Sequence, residues 1–197
     1  MTRGSRTSRR GAARSPTSIL WRRLDTPGHD ACRLEEGRGG WLVHGTAVFR
    51  HETGPARLDY QLACDKAWRS RRGLVRGWVG PARVARTVER SPRGRWTLDG
   101  KPVPALDDCE DLDLGFTPAT NYTQLRRIAL GVGEAADIPV AWLESPTGEL
   151  KLLPQRYVRR TVDAYWYEAP TVGYEGRLEV GADGFIHSYP GLWEADE

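Results

Sequence analysis

The sequence predicts a mainly β protein with a single core, and three observations carry that reading. Short patterned runs alternate with turn residues at roughly the 8 to 12 residue spacing of an all-β roll, barrel or sandwich. One run, Leu58-Asp59-Tyr60-Gln61-Leu62-Ala63-Cys64, repeats its apolar residues at every second position, as a half-buried strand does. The chain also holds 22 glycines and 13 prolines among 197 residues, a composition that favours many reversals over long helices. This length suits one domain, because single cores stop growing near ~250 residues.

Taken in order, the chain opens with an Arg/Ser-rich stretch. Residues 1–18 carry Arg3, Arg6, Arg9, Arg10 and Arg14 and no acid. They lack the large apolar residues that offset the entropy of ordering, so they read as a disordered extension ahead of one domain over residues 19–197. They also lack the apolar central region of a secretory signal. In the Leu58 to Cys64 run, Leu58, Tyr60, Leu62 and Cys64 share the inward face. Trp96-Thr97-Leu98 and Lys101-Pro102-Val103 flank Asp99-Gly100, which supplies the positive φ angles of a two-residue hairpin turn. After Thr117-Pro118-Ala119-Thr120, residues Leu125, Ile128 and Val132 recur at helical spacing, which predicts a short helix capped by Thr120 or Asn121 and stopped near Gly131 or Gly133. Two strands are expected between Leu150 and Tyr167, running back to back through Arg159 to Asp163. Asp183-Gly184 marks a further reversal.

Charge excludes one class of function. The whole chain has 29 basic and 26 acidic residues. Without the five arginines of residues 1–18, 24 basic residues face 26 acids, so the body is slightly acidic and no nucleic-acid partner is expected. The longest apolar run, Ile138 to Leu143, is interrupted by Pro139 and falls far short of the ~18 residues a membrane helix needs. Cys32, Cys64 and Cys109 are odd in number and show no C-x-x-C spacing, so reduced thiols in the cytoplasm are expected. The four histidines lie in unrelated contexts, and neither a metal nor a cofactor is called for.

Eight tryptophans and seven tyrosines stand against three phenylalanines and one methionine. Trp and Tyr join an apolar face to a hydrogen-bonding tip, a combination suited to sugars and lipid head groups. The plainer expectation for Trp68, Trp78, Trp142 and Trp166 is that they fill the β core. The acidic run Asp107 to Asp113 offers a further chemistry. If it is extended, Asp111 and Asp113 share a face and could serve an enzyme acting on a sugar or lipid as acid and base, with an arginine stabilising charge. The simpler reading pairs these acids with Arg126 and Arg127.

The string Cys109-Glu110-Asp111-Leu112-Asp113-Leu114-Gly115-Phe116-Thr117-Pro118-Ala119-Thr120-Asn121, followed by Leu125-Arg126-Arg127, resembles the putative glycolipid-binding family of bacterial proteins. Its pattern is a D-x-D-L strand, then T-P-x-T-N, then a hydrophobic residue before R-R. Gln155-Arg156-Tyr157, Tyr165 to Tyr167, Asp183-Gly184-Phe185 and Tyr189-Pro190-Gly191-Leu192-Trp193 extend the likeness downstream. Trp21, the Gly40 to Gly45 strand, Asp65 and Trp68-Arg69-Ser70-Arg71 extend it upstream. The chain departs from the pattern at Tyr122-Thr123-Gln124, where a Leu-Pro pair is expected.

The resemblance implies a spiral β-roll, a curved antiparallel sheet similar to that of bacterial lipoprotein carriers, with at most one or two short helices around a cavity or groove. It implies a non-catalytic binder of an amphipathic ligand, a glycolipid by the family's description. Candidate contacts come from residue chemistry. Arg69, Arg126 and Arg127 suit phosphate or carboxylate, Asn121 and Gln155 suit hydroxyls, and Tyr157, Tyr167 and Tyr189 suit stacking on a sugar. The T-P-x-T-N segment serves equally well as a turn and helix cap.

Overall fold

The computed structural model describes residues 17–196. Among the described residues, fifteen strands form one sheet. From the N-terminus they are β1 (Thr17–Arg23), β2 (Gly28–Gly37), β3 (Gly40–His51), β4 (Gly54–Asp65), β5 (Ser70–Val79), β6 (Ala82–Arg90), β7 (Trp96–Leu98), β8 (Lys101–Val103) and β9 (Asp111–Leu114). An α-helix, α1 (Ala119–Ile128), separates these from β10 (Ala135–Leu143), β11 (Leu150–Arg159), β12 (Ala164–Ala169), β13 (Tyr174–Val180), β14 (Ile186–Tyr189) and β15 (Trp193–Ala195). A 3-10 turn at Pro170–Val172 links β12 to β13.

The spatial order is β8-β7-β6-β5-β4-β3-β2-β1-β15-β14-β13-β12-β11-β10-β9. Sequence neighbours are therefore sheet neighbours almost throughout, joined by short reversals. The first and last strands pair at its centre, with Trp21 opposite Ala195. Every pairing is antiparallel except β9 with β10. The two edges, β8 and β9, are joined by the chain itself, and the curved sheet brings β9 back against β5. The Ser70 N–H donates to the Glu110 carbonyl at 2.9 Å, and the Leu112 N–H donates to the Ser70 hydroxyl at 2.9 Å. Gly73 makes this approach possible, since a Cβ there would lie 2.3 Å from Leu112 Cδ2.

The alternation read from the sequence holds in β4, where Leu58, Tyr60, Leu62 and Cys64 are all buried. The Asp99-Gly100 hairpin is also present, with φ of 51° and 79° at its two turn residues, both positive as a type I′ turn requires. The reversal at Asp183-Gly184 is a slightly longer loop, closed by the Gly181 N–H donating to the Phe185 carbonyl at 2.9 Å. Thr17 and Ser18, assigned to the extension on sequence, pair with Leu34 and Arg33 in β1. The rest of that extension, residues 1–16, lies outside the described residues.

The helix departs from expectation in three ways. It starts one residue after Pro118, with the Thr117 hydroxyl accepting the Ala119 N–H at 3.0 Å, so neither Thr120 nor Asn121 is the cap. It ends at Ala129, whose φ of 44° is left-handed, before either glycine. Val132 lies beyond the helix and is exposed. The reason is burial: all seven residues from Ala119 to Leu125 are buried, so the polar face turns inward to partners rather than outward to water. The tryptophan expectation also needs correcting. Trp68 is buried, but Trp78 is exposed and Trp142 and Trp166 are half-buried. Trp21, Trp96 and Trp193 join Trp68 in the core.

Candidate functional site

A polar helix enclosed by a sheet needs a partner for each side chain, because an unsatisfied buried polar group costs about 1 to 3 kcal/mol. Strand β9 supplies much of what α1 needs. The Asp113 carboxylate accepts from Gln155 Nε2 at 2.6 Å, from Gln124 Nε2 at 3.2 Å and from the Thr120 hydroxyl at 3.4 Å. The Tyr157 hydroxyl donates to Gln124 Oε1 at 2.7 Å and accepts from Asn121 Nδ2 at 2.8 Å. Asp113 is thus held by neutral groups. Burial raises its pKa, while the bonds from Gln155, Gln124 and Thr120 work in the opposite direction.

Above this network lies a cavity of about 260 Å³. Asp113, Thr117 and Asn121 form its polar floor, and Trp142, Tyr167, Tyr174, Tyr189 and Trp193 line its walls. The tyrosines form a connected set, with ring centres 5.8 Å apart for Tyr167 and Tyr189, 5.2 Å for Tyr174 and Tyr189, and 4.8 Å for Tyr157 and Tyr167. Burial pushes Tyr174 up to about 12 and raises Tyr157, Tyr167 and Tyr189 well above the ordinary 10. Their phenols are neutral near pH 7 and retain both a donor and an acceptor.

Five of the eight residues proposed on sequence gather here: Asn121, Tyr167 and Tyr189 on the lining, Gln155 and Tyr157 in the network beneath. The three arginines do not join them. Arg127 binds Asp111 through Nη2 at 2.6 Å and Glu110 through Nη1 at 3.0 Å. Arg69 binds Glu110 at 2.5 Å. Arg126 lies over the rings of Trp68 and Tyr122 at the other end of α1. Asp111 and Asp113 do share a face of β9, as expected, but Asp113 lines the cavity and Asp111 does not.

Residues 18–195 match the family described as putative glycolipid-binding. The chain belongs to that family. The match to the putative glycolipid-binding family takes in the helix and every strand but for Thr17 of β1, so the cavity and its floor lie wholly inside it. A crystal structure of a DUF1089 family protein from Pseudomonas aeruginosa is 29% identical and superposes with a TM-score of 0.75, covering 97% of this chain and 99% of that one. No curated protein matches the chain.

Sequence reasoning overlooked a second buried cluster next to this site. Asp30 is fully buried and accepts from the Tyr60 hydroxyl at 3.0 Å and from the Thr117 hydroxyl. Desolvation raises its carboxyl from the ordinary 3.8 to about 7, against the pull of those two hydrogen bonds. A usable signal existed, because Asp30 occupies an inward position of the alternating Gly28, Asp30, Cys32, Leu34 set. Trp142, Tyr174 and Trp193 carried no such signal, since only the sheet's curvature brings β10, β13 and β15 together. Among the described residues, no three His, Cys, Asp or Glu side chains gather as a metal cluster. No helix of the described residues is long and apolar enough to cross a membrane.

Proposed function

We propose that the chain binds the saccharide head of a glycolipid in the tyrosine-lined cavity, without catalysing a reaction on it. The observation that carries this reading is the pairing of five aromatic wall residues with the Asp113, Asn121 and Thr117 floor. Aromatic faces suit the C–H surfaces of a sugar, and the polar floor suits its hydroxyls. Asp113 Oδ2 takes both glutamine amides, while Oδ1 has only the 3.4 Å contact with Thr120, which leaves it able to accept a ligand hydroxyl. Asn121, Gln155, Tyr157, Tyr167 and Tyr189 are the contacts and supports in this reading, and Arg69 and Arg127 act as structural ion-pair partners.

The size of the cavity limits what enters. About 260 Å³ lies below the ~300 Å³ lower bound for pockets that engulf drug-sized ligands, so a head group enters and acyl chains stay outside. Val172, 46% exposed, sits on the lining as an apolar lip for the start of such a chain. The competing enzymatic reading has less support, because Asp111 is committed to Arg127 and does not line the cavity. Three free, buried cysteines suit a reducing compartment such as the cytoplasm.

Native mass spectrometry of the purified protein tests this reading, followed by incubation with a bacterial glycolipid extract. A bound glycolipid that disappears in a Trp142→Ala variant with an unchanged fold is the expected result. Wild-type protein that takes up no glycolipid under either condition would overturn it.

A further inference from the structure

A second cleft, of about 500 Å³, crosses the C-terminal end of α1, away from the tyrosine cavity. Its charged lining residues are Arg126 and Arg159, with no carboxylate, and Leu125, Val162, Tyr165 and Trp68 supply apolar and aromatic walls. Val162 is 75% exposed.

The two cations do different work. Arg159 donates to the backbone carbonyls of Leu130 at 2.6 Å and Val162 at 2.8 Å, tying down the chain after the helix. Arg126 makes no ion pair among the described residues. Its guanidinium lies 5.6 Å from the Trp68 ring centre and 5.9 Å from that of Tyr122. Both cations reach Tyr165: burial raises its phenol, and Arg159 and Arg126 oppose that rise. The ring beneath Arg126 is preset. Trp68 has a φ of 66°, a strained value for a bulky residue, and it stacks on Trp41 at 4.2 Å.

On the other side of Arg126 a second arm holds Glu35, Glu36 and Asp183. Glu35 pairs with Arg33 at 3.1 Å, and Asp183 lies 3.2 Å from a His187 ring nitrogen. An anion held by Arg126 therefore has one favourable direction for an apolar tail, towards Val162 and away from the acids.

We propose that this cleft is a second binding site, for an anionic amphiphile whose phosphate or carboxylate head meets Arg126 and whose single apolar chain lies along Leu125, Val162 and Tyr165. A guanidinium free of carboxylates and backed by rings offers paired N–H donors to an oxyanion. The site is independent of the saccharide reading of the tyrosine cavity.

Isothermal titration calorimetry tests it with dodecyl phosphate and dodecanoate, each below its micelle concentration. A sugarless dodecyl oligoethylene glycol ether and inorganic phosphate serve as comparisons. Saturable binding of at least one anionic amphiphile is expected, and the tighter of the two identifies the head group. The neutral ether and free phosphate should bind at least about tenfold more weakly. Arg126→Gln should weaken the anionic amphiphile by about tenfold or more. Val162→Glu, at an exposed position, should do the same by setting a carboxylate in the apolar wall. Trp142→Ala should leave this binding unchanged.

Equal affinity for the neutral ether, or no binding of either anion, would overturn the proposal. So would wild-type affinity in both cleft variants, with Arg126→Gln lowering only the melting temperature, because Arg126 would then merely offset the helix dipole. Loss of binding in Trp142→Ala would place the amphiphile in the tyrosine cavity, removing the second site while leaving the first.

Discussion

Asp111 and Arg127 join strand β9 to helix α1 through a bidentate ion pair, Nη2 to Oδ2 at 2.6 Å and Nε to Oδ1 at 3.0 Å. Asp111 is fully buried and the Arg127 side chain is 17% exposed. β9 is one of the sheet's two edge strands and, among the described residues, pairs only through the short parallel ladder to β10. The pair, with the Ser70 contacts to Glu110 and Leu112, fixes β9 between α1 and β5. Asp113, two residues on, owes its place at the cavity floor to that anchorage.

Asp111→Asn should therefore lower stability by about 3 kcal/mol, the low end of what breaking a buried pair costs, because Glu110 still holds Arg127. The melting temperature should fall by roughly 6 to 12 °C. A double variant, Asp111→Asn with Arg127→Leu, should lose less than the sum of the two single changes, since the buried carboxylate that Arg127→Leu alone leaves unpaired is gone. Thermal melts of the three variants check this, and strict additivity would show that the pair contributes little.

Asp30 gives the fold a pH dependence whose sign follows from its raised carboxyl. The folded value of about 7 exceeds the ordinary 3.8, so the native state holds this proton more tightly than the unfolded chain does. The contribution is fully present below pH 4 and is lost as pH rises through 7, amounting to on the order of 4 kcal/mol. Asp30→Asn keeps the contacts to Tyr60 and Thr117 without the charge. The stability of the variant relative to wild type should rise between pH 4.5 and 7.5, as read from paired denaturation curves at fixed ionic strength. A flat difference across that window would contradict the assignment.

The strands were legible because their signal is local. Period-two burial shows in Leu58 to Cys64, and Asp99-Gly100 names its own turn chemistry. The helix was legible as an element but not in its bounds, because helical periodicity assumes a wet face and Thr120, Asn121, Thr123 and Gln124 have none. The candidate site divides the same way. Asn121, Gln155 and three tyrosines could be proposed from side-chain chemistry alone. Pairing of the acidic run with Arg127 was legible too, as the simpler reading of those residues, but not that Arg126 would stand apart or that Arg69 would join Glu110, because 41 positions separate that pair and only the rolled sheet brings it together.

Tyr157→Phe tests the network under the cavity. The change removes a donor to Gln124 at 2.7 Å and an acceptor for Asn121 at 2.8 Å, leaving two buried amide groups short of a partner. A loss of about 1 to 3 kcal/mol is expected. Because Asn121 also lines the cavity, saccharide binding by the folded fraction should weaken as well. Chemical denaturation together with a binding titration checks both effects, and unchanged stability would mean that the two amides find other partners.

Trp68 offers the sharpest test of backbone against packing. Its φ of 66° is held by Asp65, whose Oδ1 accepts the N–H groups of Ala67 at 2.9 Å and Arg69 at 3.0 Å. The ring is 8% exposed and stacks on Trp41 with planes 9° apart. Trp68→Ala loses this packing, at about 3 to 5 kcal/mol, and keeps the left-handed strain. Trp68→Gly loses the same packing but relieves about 1 to 2 kcal/mol of that strain. Glycine ordinarily costs more than alanine through the entropy of the unfolded chain. Here the order should reverse, with Trp68→Gly more stable than Trp68→Ala by about 1 kcal/mol. If Trp68→Ala proves the more stable in urea denaturation, the backbone at this position relaxes once the ring is gone, and the stack with Trp41 rather than the Asp65 turn sets its conformation.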